Sequence, residues 1–388
     1  MREPVLVPRL QPFTSTIFAE MTALAVKHEA INLGQGFPDT DGPAAMLDAA
    51  RDALYGGANQ YPPGPGRPEL RAAIARHRSR YGTEYDPDTE ILVTAGATEA
   101  IAATLLALTQ PGDEVIVIEP YYDSYAAAVA LAGAERRVVG LAEGPDGRFG
   151  LDADALRAAV TPRTRAILVN SPHNPTGTVF TRAELAAVAA LCVEHDLIAI
   201  TDEVYEHLVF DDTEHIPLVT LPGMRSRTVS ISSAGKTFNC TGWKIGWVCA
   251  TPELVAAVKA AKQFITFVSG GPLQPAVAHA LDHELTWVDG LRDSLQEKRD
   301  RLAAGLADAG FAVRRTAGTY FVCVDVRPLG FTDAAELAWE LPGRAGVAAV
   351  PVKVFTDHPE EWKHLLRFAF CKRNEVIDEA ITRLRKLG

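Results

Sequence analysis

Between residues 90 and 250, short apolar runs alternate with longer segments that have helical character. The apolar runs are hydrophobic at nearly every position, which is typical of strands in a parallel sheet that helices cover on both faces. The alternation therefore predicts an α/β fold with a mostly parallel central sheet and helices on both faces. The predicted strands span residues 91–94, 114–118, 165–169, 197–201, 228–232 and 245–250.

Local signals mark two of the helices between these strands. Pro111-Gly112 ends a predicted helix at 98–109. Thr181 and Glu184 have the spacing of a capping box, which predicts that a helix begins there and runs to about residue 195. A third helix is predicted at 122–131.

The pattern changes after about residue 285. A long charged helix is predicted at 291–308, a strand at 320–326, a helix near 333–340 and a second apolar strand at 365–370, before a C-terminal helix. This order predicts a smaller α+β domain. The first 40 residues have weak periodicity, and we interpret them as an arm that packs with it. We therefore divide the chain into an N-terminal arm (1–40), a large domain (41–285) and a small domain (286–388).

Composition excludes several classes of protein. The 388 residues carry a formal net charge of −11, and no run of Lys or Arg forms a basic stripe, which argues against nucleic-acid binding. No apolar run reaches the roughly 20 residues that span a bilayer, and the N-terminus lacks a signal-peptide pattern. The five cysteines are widely spaced and odd in number, so we expect buried free thiols in a cytoplasmic protein.

Polar residues follow the predicted strands, where the carboxyl ends of parallel strands form a ligand-binding crevice. Asn170 and Asn174 follow one strand, Asp202 and Tyr205 another, and Lys236 a third. This set matches the needs of pyridoxal phosphate (PLP), which requires a lysine for a Schiff base and an acid facing its pyridine nitrogen. Lys236 and Asp202 suit those roles, and Asn174 and Tyr205 could donate hydrogen bonds to the ring oxygen.

The phosphate of PLP would need a helix N-terminus with hydroxyl and cationic groups nearby. Gly96, Ala97 and Thr98 stand where a predicted helix begins, and Ser233 and Lys244 add a hydroxyl and a cation. The sequence thus predicts a phosphate site beside Lys236.

Simpler interpretations exist for individual residues. A lysine after a strand is usually a solvated surface residue, and Asn170 and Asn174, which flank two prolines, also suit a structural turn. Arg367 lies in an apolar strand, where it either faces water on an edge strand or binds a carboxylate in a buried position. Tyr61 lies in a Pro- and Gly-rich segment that is typical of a rigid surface turn.

Several segments of the sequence resemble the signature motifs of class I aminotransferases of PLP fold type I. These segments are INLGQGFPD, NQYPPGPG, NSPHNPTG, TDEVYEHLVF, SSAGKTFNCTGWKIGW and RFAF. The resemblance covers nearly the whole chain. The subgroup that the sequence most resembles is that of the kynurenine, methionine and glutamine transaminases, and it also resembles the actinobacterial N-succinyldiaminopimelate aminotransferases.

The resemblance implies roles for the residues that match the motifs. Lys236 would bind PLP covalently and then move the substrate proton, with Asp202 and Tyr205 as its catalytic partners. Arg367 would bind the substrate α-carboxylate with help from Asn170 and Gly36. The remaining cofactor contacts would come from Ala97, Thr98, Tyr122, Asn174, Ser233 and Lys244, and from Tyr61 of a neighbouring subunit, which implies a homodimer with composite active sites.

The implied reaction is a ping-pong transamination from an L-amino acid to a 2-oxo acid, with 2-oxoglutarate as the expected acceptor. N-succinyl-LL-2,6-diaminopimelate, kynurenine, methionine, glutamine and aromatic amino acids all remain open as donors. Two other functions use the same scaffold. One is β-elimination from a cysteine S-conjugate. The other is a PLP-binding transcription regulator, which we disfavour because the motifs begin by residue 31 and leave no room for a preceding DNA-binding module.

Overall fold

The computed structural model describes residues 5–387, and two main sheets organise this part of the chain. A seven-stranded sheet has the order β2-β10-β9-β8-β7-β3-β4, and a four-stranded sheet has the order β11-β12-β15-β14. The described strands are β1 (Ile31–Asn32), β2 (Ile91–Thr94), β3 (Glu114–Glu119), β4 (Glu135–Gly140), β5 (Ala142–Glu143), β6 (Phe149–Gly150), β7 (Thr164–Asn170), β8 (Ile198–Asp202), β9 (Thr228–Ser233), β10 (Gly246–Cys249), β11 (Ala312–Val313), β12 (Phe321–Asp325), β13 (Val347–Ala348), β14 (Val350–Pro351) and β15 (Leu365–Ala369).

Helices surround both sheets. The described α-helices are α1 (Ile17–Lys27), α2 (Ala44–Tyr55), α3 (Pro68–Ser79), α4 (Gly96–Leu108), α5 (Asp123–Ala132), α6 (Ala153–Ala159), α7 (Arg182–Glu194), α8 (Ala234–Thr237), α9 (Pro252–Lys262), α10 (Leu273–His283), α11 (Leu285–Asp308), α12 (Ala334–Ala345), α13 (Pro359–Trp362) and α14 (Asn374–Leu384). Short 3-10 helices lie at Pro8–Phe13, Leu218–Thr220, Thr241–Trp243, Arg327–Leu329, Val352–Phe355 and Arg385–Leu387. Among residues 5–387, no helix is both long enough and apolar enough to cross a membrane.

The seven-stranded sheet is mostly parallel, as predicted. Strands β3, β4, β7, β8 and β9 pair in parallel, and β10 is antiparallel to both β2 and β9. Successive side chains of a strand point to opposite faces, so Val115 and Val117 pack with α4, α5 and α9, whereas Ile116 and Ile118 pack with α7 on the other face. Both faces are therefore buried, which explains why these strands are apolar at most positions.

The four-stranded sheet is antiparallel and packs against α11, α12 and α14. Near the N-terminus, α1 packs Met21 and Ala25 against Ala348, Val350 and Phe355 of the segment that includes β13 and β14. Strand β1 also pairs in parallel with β13, and this pairing brings the segment that follows β1 towards the cavity described below.

The local predictions for the helices and the cysteines are confirmed. Helix α7 begins after Thr181 with both hydrogen bonds of the capping box, and the other predicted elements agree to within a few residues at each end, with α11 extending six residues further towards the N-terminus than its prediction. The five cysteines are free and buried.

Candidate active site

A cavity of about 350 Å³ lies at the carboxyl ends of β7, β8 and β9, with β15 on its opposite side. It contains every site residue that the sequence predicts except Tyr61. These residues are Gly36, Ala97, Thr98, Tyr122, Asn170, Asn174, Asp202, Tyr205, Ser233, Lys236, Lys244 and Arg367. Tyr61 lies outside the cavity, is 81% exposed, and packs edge-on against Phe267 with 5.5 Å between ring centroids.

Lys236 stands in the short helix α8, directly after β9. Its amine, Nζ, donates a hydrogen bond to the hydroxyl of Tyr320 at 2.7 Å. Burial lowers the pKa of Lys236 to about 8, because a low-dielectric surrounding disfavours the charged amine. Lys236 can therefore gain and lose a proton near neutral pH, which the interpretation as a solvated surface lysine does not account for.

Asp202 ends β8 and is buried. Its Oδ2 accepts a hydrogen bond from the Tyr125 hydroxyl at 2.6 Å, and its Oδ1 accepts one from the Val204 backbone N–H at 3.3 Å. Burial raises the pKa of Asp202 to about 6, and these two hydrogen bonds and Lys236 act in the opposite direction. A carboxylate in this position suits a protonated ring nitrogen, which would pair with it.

The loop after β7 is held by Asn170. Its Nδ2 donates to the Asp202 carbonyl at 2.9 Å, and its Oδ1 accepts from the Asn174 backbone N–H at 2.8 Å. Asn170 thus stabilises the turn while lining the cavity, so the structural interpretation of this residue applies as well. Nearby, His173 contacts the Thr176 hydroxyl, and burial lowers the pKa of His173 to about 3, so it is a neutral packing residue.

The N-terminus of α4 forms a cradle for an anion beside Lys244. Gly96 has a φ of 76°, and a Cβ at this position would lie 3.2 Å from Lys244 Nζ. A Cβ on Gly246 would lie 2.5 Å from the Gly96 carbonyl carbon, so the close approach of β10 to this turn requires glycine there too. No side chain caps the first turn at Ala95. Backbone N–H groups and a cation at a helix N-terminus suit a phosphate.

Arg367 is a buried cation on β15, which is a central strand between β12 and β14. The interpretation as a water-facing residue of an edge strand is therefore wrong. Its Nη1 donates to Asn174 Oδ1 at 2.8 Å and its Nη2 to the Gly34 carbonyl at 2.9 Å, and the guanidinium lies 3.9 Å from the ring centroid of Phe321. Within residues 5–387 its Nε has no hydrogen-bond partner. A cation held by neutral groups in a cavity suits a ligand carboxylate.

The sequence analysis did not single out several residues of the cavity region, among them Tyr125, Tyr320 and Phe321. Tyr122 is the N-cap residue of α5 and Tyr125 lies three positions later in its first turn, so the helix predicted at 122–131 would have placed the two on one face and Tyr125 could have been found. Tyr320 and Phe321 carry no local signal, because their place beside Lys236 and Arg367 depends on how the two sheets meet.

Comparisons with known proteins agree with this geometry. The family model for aminotransferase class I and II matches residues 28–384. The solved structure of an N-succinyldiaminopimelate aminotransferase from Mycobacterium tuberculosis is 59% identical, covers 99% of this chain and 100% of its own, and superposes with a TM-score of 0.97. A methionine aminotransferase from Escherichia coli is 40% identical over 98% of this chain and 99% of its own. A human kynurenine–oxoglutarate transaminase is 34% identical over 100% and 99%, respectively.

The fold and the cavity define an enzyme of the transferase class with the architecture of PLP fold type I. More particularly, the chain belongs to the aminotransferase class I and II family, and it is an aminotransferase.

Proposed function

We propose that this aminotransferase uses PLP to move an amino group from an L-amino acid to a 2-oxo acid in a ping-pong reaction. The observation that carries the proposal is that Lys236, Asp202 and Arg367, which come from three separate elements, line one cavity. A reactive amine, a buried acid and a carboxylate-binding cation are the groups that this chemistry needs.

The cavity fits PLP in the chemistry of its donors. The cradle of Ala97, Thr98, Ser233 and Lys244 would hold the phosphate. Asp202 would pair with the ring nitrogen, and Asn174 and Tyr205 would bond the ring oxygen. Tyr122 would pack on the ring. When bound, PLP supplies an electron sink for the electron pair of the substrate α-carbon.

Lys236 would move the proton in this reaction. Its pKa of about 8 allows the amine to take the proton from the substrate α-carbon near neutral pH and to give it up again. Arg367 would fix the α-carboxylate by hydrogen bonds from its guanidinium, with the Asn170–Asn174 turn holding the loop beside it. The side chain of the substrate would then be placed by the remaining cavity wall.

We propose a homodimer in which Tyr61 reaches the cavity of the second copy. The support is a group of exposed aromatic residues: Tyr61 is 81% exposed, Phe264 86% and Phe267 49%. Exposed apolar groups that lie together mark interaction sites. In a dimer with a second copy of this chain, Tyr61 would contact the cofactor of that copy. The free cysteines support the proposal that the dimer works in the cytoplasm.

For the substrate, we propose N-succinyl-LL-2,6-diaminopimelate with 2-oxoglutarate and glutamate as the second pair. The support is the 59% identity to the Mycobacterium tuberculosis enzyme of that name, against 40% for the methionine and 34% for the kynurenine enzyme. A second cavity shares Phe18 and Tyr122 as walls with the first, and a long substrate side chain would extend towards it.

The test is a visible absorption spectrum of the purified protein with PLP, followed by a panel of amino acids without an acceptor. The panel contains N-succinyl-diaminopimelate, methionine, kynurenine, glutamine and phenylalanine. We expect a yellow band that N-succinyl-diaminopimelate bleaches fastest, and steady glutamate formation once 2-oxoglutarate is present. If another donor bleaches the band faster, that donor replaces N-succinyl-diaminopimelate as the proposed substrate.

Lys236→Ala is the decisive variant for the reaction. We expect at least a 10³-fold loss of transamination, because the other lysine that lines the described cavity, Lys244, would be held at the phosphate and could not replace Lys236. Lys27→Ala, which removes an exposed lysine from α1, is the matched control and should keep full activity. Substantial transamination by Lys236→Ala would contradict the proposal.

A further inference from the structure

Tyr320 is the closest described polar partner of the Lys236 amine. Its hydroxyl accepts a hydrogen bond from Nζ at 2.7 Å and donates one to the Gly36 carbonyl. Nζ lies 3.4 Å from the same carbonyl. The phenol thus connects the lysine after β9 to the segment after β1, which also contributes the Gly34 carbonyl that Arg367 contacts.

The backbone holds this phenol firmly in place. Tyr320 is 1% exposed, and its carbonyl accepts a hydrogen bond from the Phe370 N–H at 2.9 Å. Thr319, directly before it, has a φ of 68°, which is strained for a β-branched residue. A Cβ on Gly36 would lie 2.8 Å from Tyr320 Cε2, so glycine at 36 allows the approach.

The direction of these hydrogen bonds decides where the lysine lone pair points. A neutral amine has two N–H donors and one lone pair. Both nearby groups, the Tyr320 hydroxyl and the Gly36 carbonyl, offer oxygen acceptors, because the Tyr320 proton is used on Gly36. They therefore occupy the N–H groups of Nζ and leave its lone pair free to face the cavity.

We propose that Tyr320 is a positioning residue for Lys236, whose free amine it holds with the lone pair facing the substrate α-carbon. The inference rests on the proposed role of Lys236 in moving the substrate proton. The contact exists when the Lys236 nitrogen is a free amine, and that is the state in which it takes a proton. Tyr205 lies across the same ring, edge-on at 5.2 Å between centroids, and limits the movement of the phenol.

Packing alone would also account for a buried tyrosine at this position, since its ring contacts Tyr205 and Phe321. The two interpretations differ in what the hydroxyl does. Tyr320→Phe keeps the ring and removes only the hydroxyl. A packing role predicts no change at Lys236, whereas a positioning role predicts a change in the reactivity of Nζ.

The first measurement uses the full-length chain without PLP. The pH dependence of reductive methylation of Lys236 by formaldehyde and cyanoborohydride is followed by mass spectrometry of the peptide that contains it. A hydrogen bond accepted from the amine favours its charged form, so Tyr320→Phe should move the midpoint of methylation to lower pH. The matched control is Tyr85→Phe, a buried tyrosine that does not line the cavity, which should leave the midpoint unchanged.

The second measurement uses the PLP-loaded enzyme. Tyr320→Phe should lower kcat by roughly 10- to 100-fold with KM within about threefold, since a misplaced reacting group costs rate more than binding. The isotope effect from an α-deuterated donor should increase, because proton transfer becomes slower than the other steps. Thermal unfolding of both tyrosine variants shows whether each is folded.

The outcomes are distinct. A lower methylation midpoint together with a larger isotope effect supports the proposal. An unchanged midpoint, an unchanged isotope effect, or an equal loss of kcat in Tyr85→Phe overturns it and assigns Tyr320 to packing. Activity in Lys236→Ala would instead remove the proposed function, so the failure of one proposal is distinguishable from the failure of the other.

Discussion

At the scale of single residues, burial moves the pKa of two site groups towards neutrality from opposite sides. The pKa of Asp202 rises to about 6 and that of Lys236 falls to about 8. At pH 7 both groups are mostly charged, with opposite signs, yet each is within reach of its other protonation state. Ionisable groups shifted in this way are typical of functional sites, and they cost stability in the free chain.

Asp202→Asn should therefore stabilise the PLP-free chain while abolishing its activity. The folded-state pKa of Asp202 lies above the unfolded value, so the folded chain binds more protons between about pH 4 and 6, and the free energy of unfolding falls as pH rises through that window. At pH 8 Asp202 is ionised in the parent, and the variant avoids the whole free-energy cost of burying that charge. We expect a gain of roughly 1–3 kcal/mol there, at 1.36 kcal/mol per pKa unit, and a smaller gain at pH 5.

Urea unfolding of the PLP-free protein at both pH values measures this difference. The exposed Asp212→Asn is the control and should change the free energy of unfolding by less than about 0.5 kcal/mol at either pH. A variant that is less stable than the parent at pH 8 would show that the native carboxylate is stabilised by its hydrogen bonds with Tyr125 and Val204 more than burial costs it.

At the scale of elements, the strands of the parallel sheet were predictable because both of their faces are buried. Strand β4 was missed, since Glu135–Gly140 lies at the sheet edge and alternates exposed and half-buried residues, so its sequence ERRVVG shows no apolar run. Helix α8 was also missed, because four residues are too few to show a period. The position of Lys236 was predicted instead from the strand at 228–232 that precedes it.

The site residues likewise divide into those that the sheet prediction brought together and those that it did not. Asn170, Asp202 and Ser233 end parallel strands, so a correct sheet prediction was enough to bring them together. The contact between Lys236 and Tyr320 joins residues 84 positions apart, one just after a strand of the seven-stranded sheet and one just before a strand of the four-stranded sheet, and no periodicity encodes it. The placement of Tyr61 depends on a second copy of the chain, and it stays a prediction.

The turn that carries Asp202 and Tyr205 rests on α3 through a buried ion network. Arg78 donates to Glu203 at 2.8 Å and to Glu206 at 2.9 Å, and all three side chains are at most 3% exposed. Burial would raise the pKa of Glu203, but Arg78 and His215 outweigh it and hold this pKa at about 2. The two glutamates alternate with the two site residues along the turn. The glutamates fix the turn to α3, while Asp202 and Tyr205 face the cavity.

Arg78→Ala should lower the free energy of unfolding by roughly 3–5 kcal/mol, because it leaves two carboxylates buried without their cation. Arg76→Ala is a matched control on the same helix, since Arg76 pairs with Asp282 with 59% of its side chain exposed. An exposed pair contributes little, and we expect less than about 1 kcal/mol from its loss. Equal effects of the two variants in urea unfolding would show that the network does not anchor the turn.

At the scale of the whole molecule, the cavity exists because separate parts of the chain meet. The seven-stranded sheet brings Asp202 and Lys236, the four-stranded sheet brings Arg367, and the segment after β1 brings Gly36. None of these parts holds a complete set of reacting groups. The proposed dimer extends this division to a second copy, because Tyr61 does not line the cavity of its own chain.

Composite sites in a dimer can be tested by mixing two defective chains. Lys236→Ala and Tyr61→Ala each spoil both sites of a homodimer. In a mixed dimer, however, one site combines Lys236 of the second chain with Tyr61 of the first and is intact, while the other carries both defects. Random pairing of equal amounts makes half the dimers mixed, so activity at limiting PLP should return to about a quarter of the parent value. If Tyr61 instead served its own chain, every site would keep one defect, and the mixture would be no more active than the average of its parents.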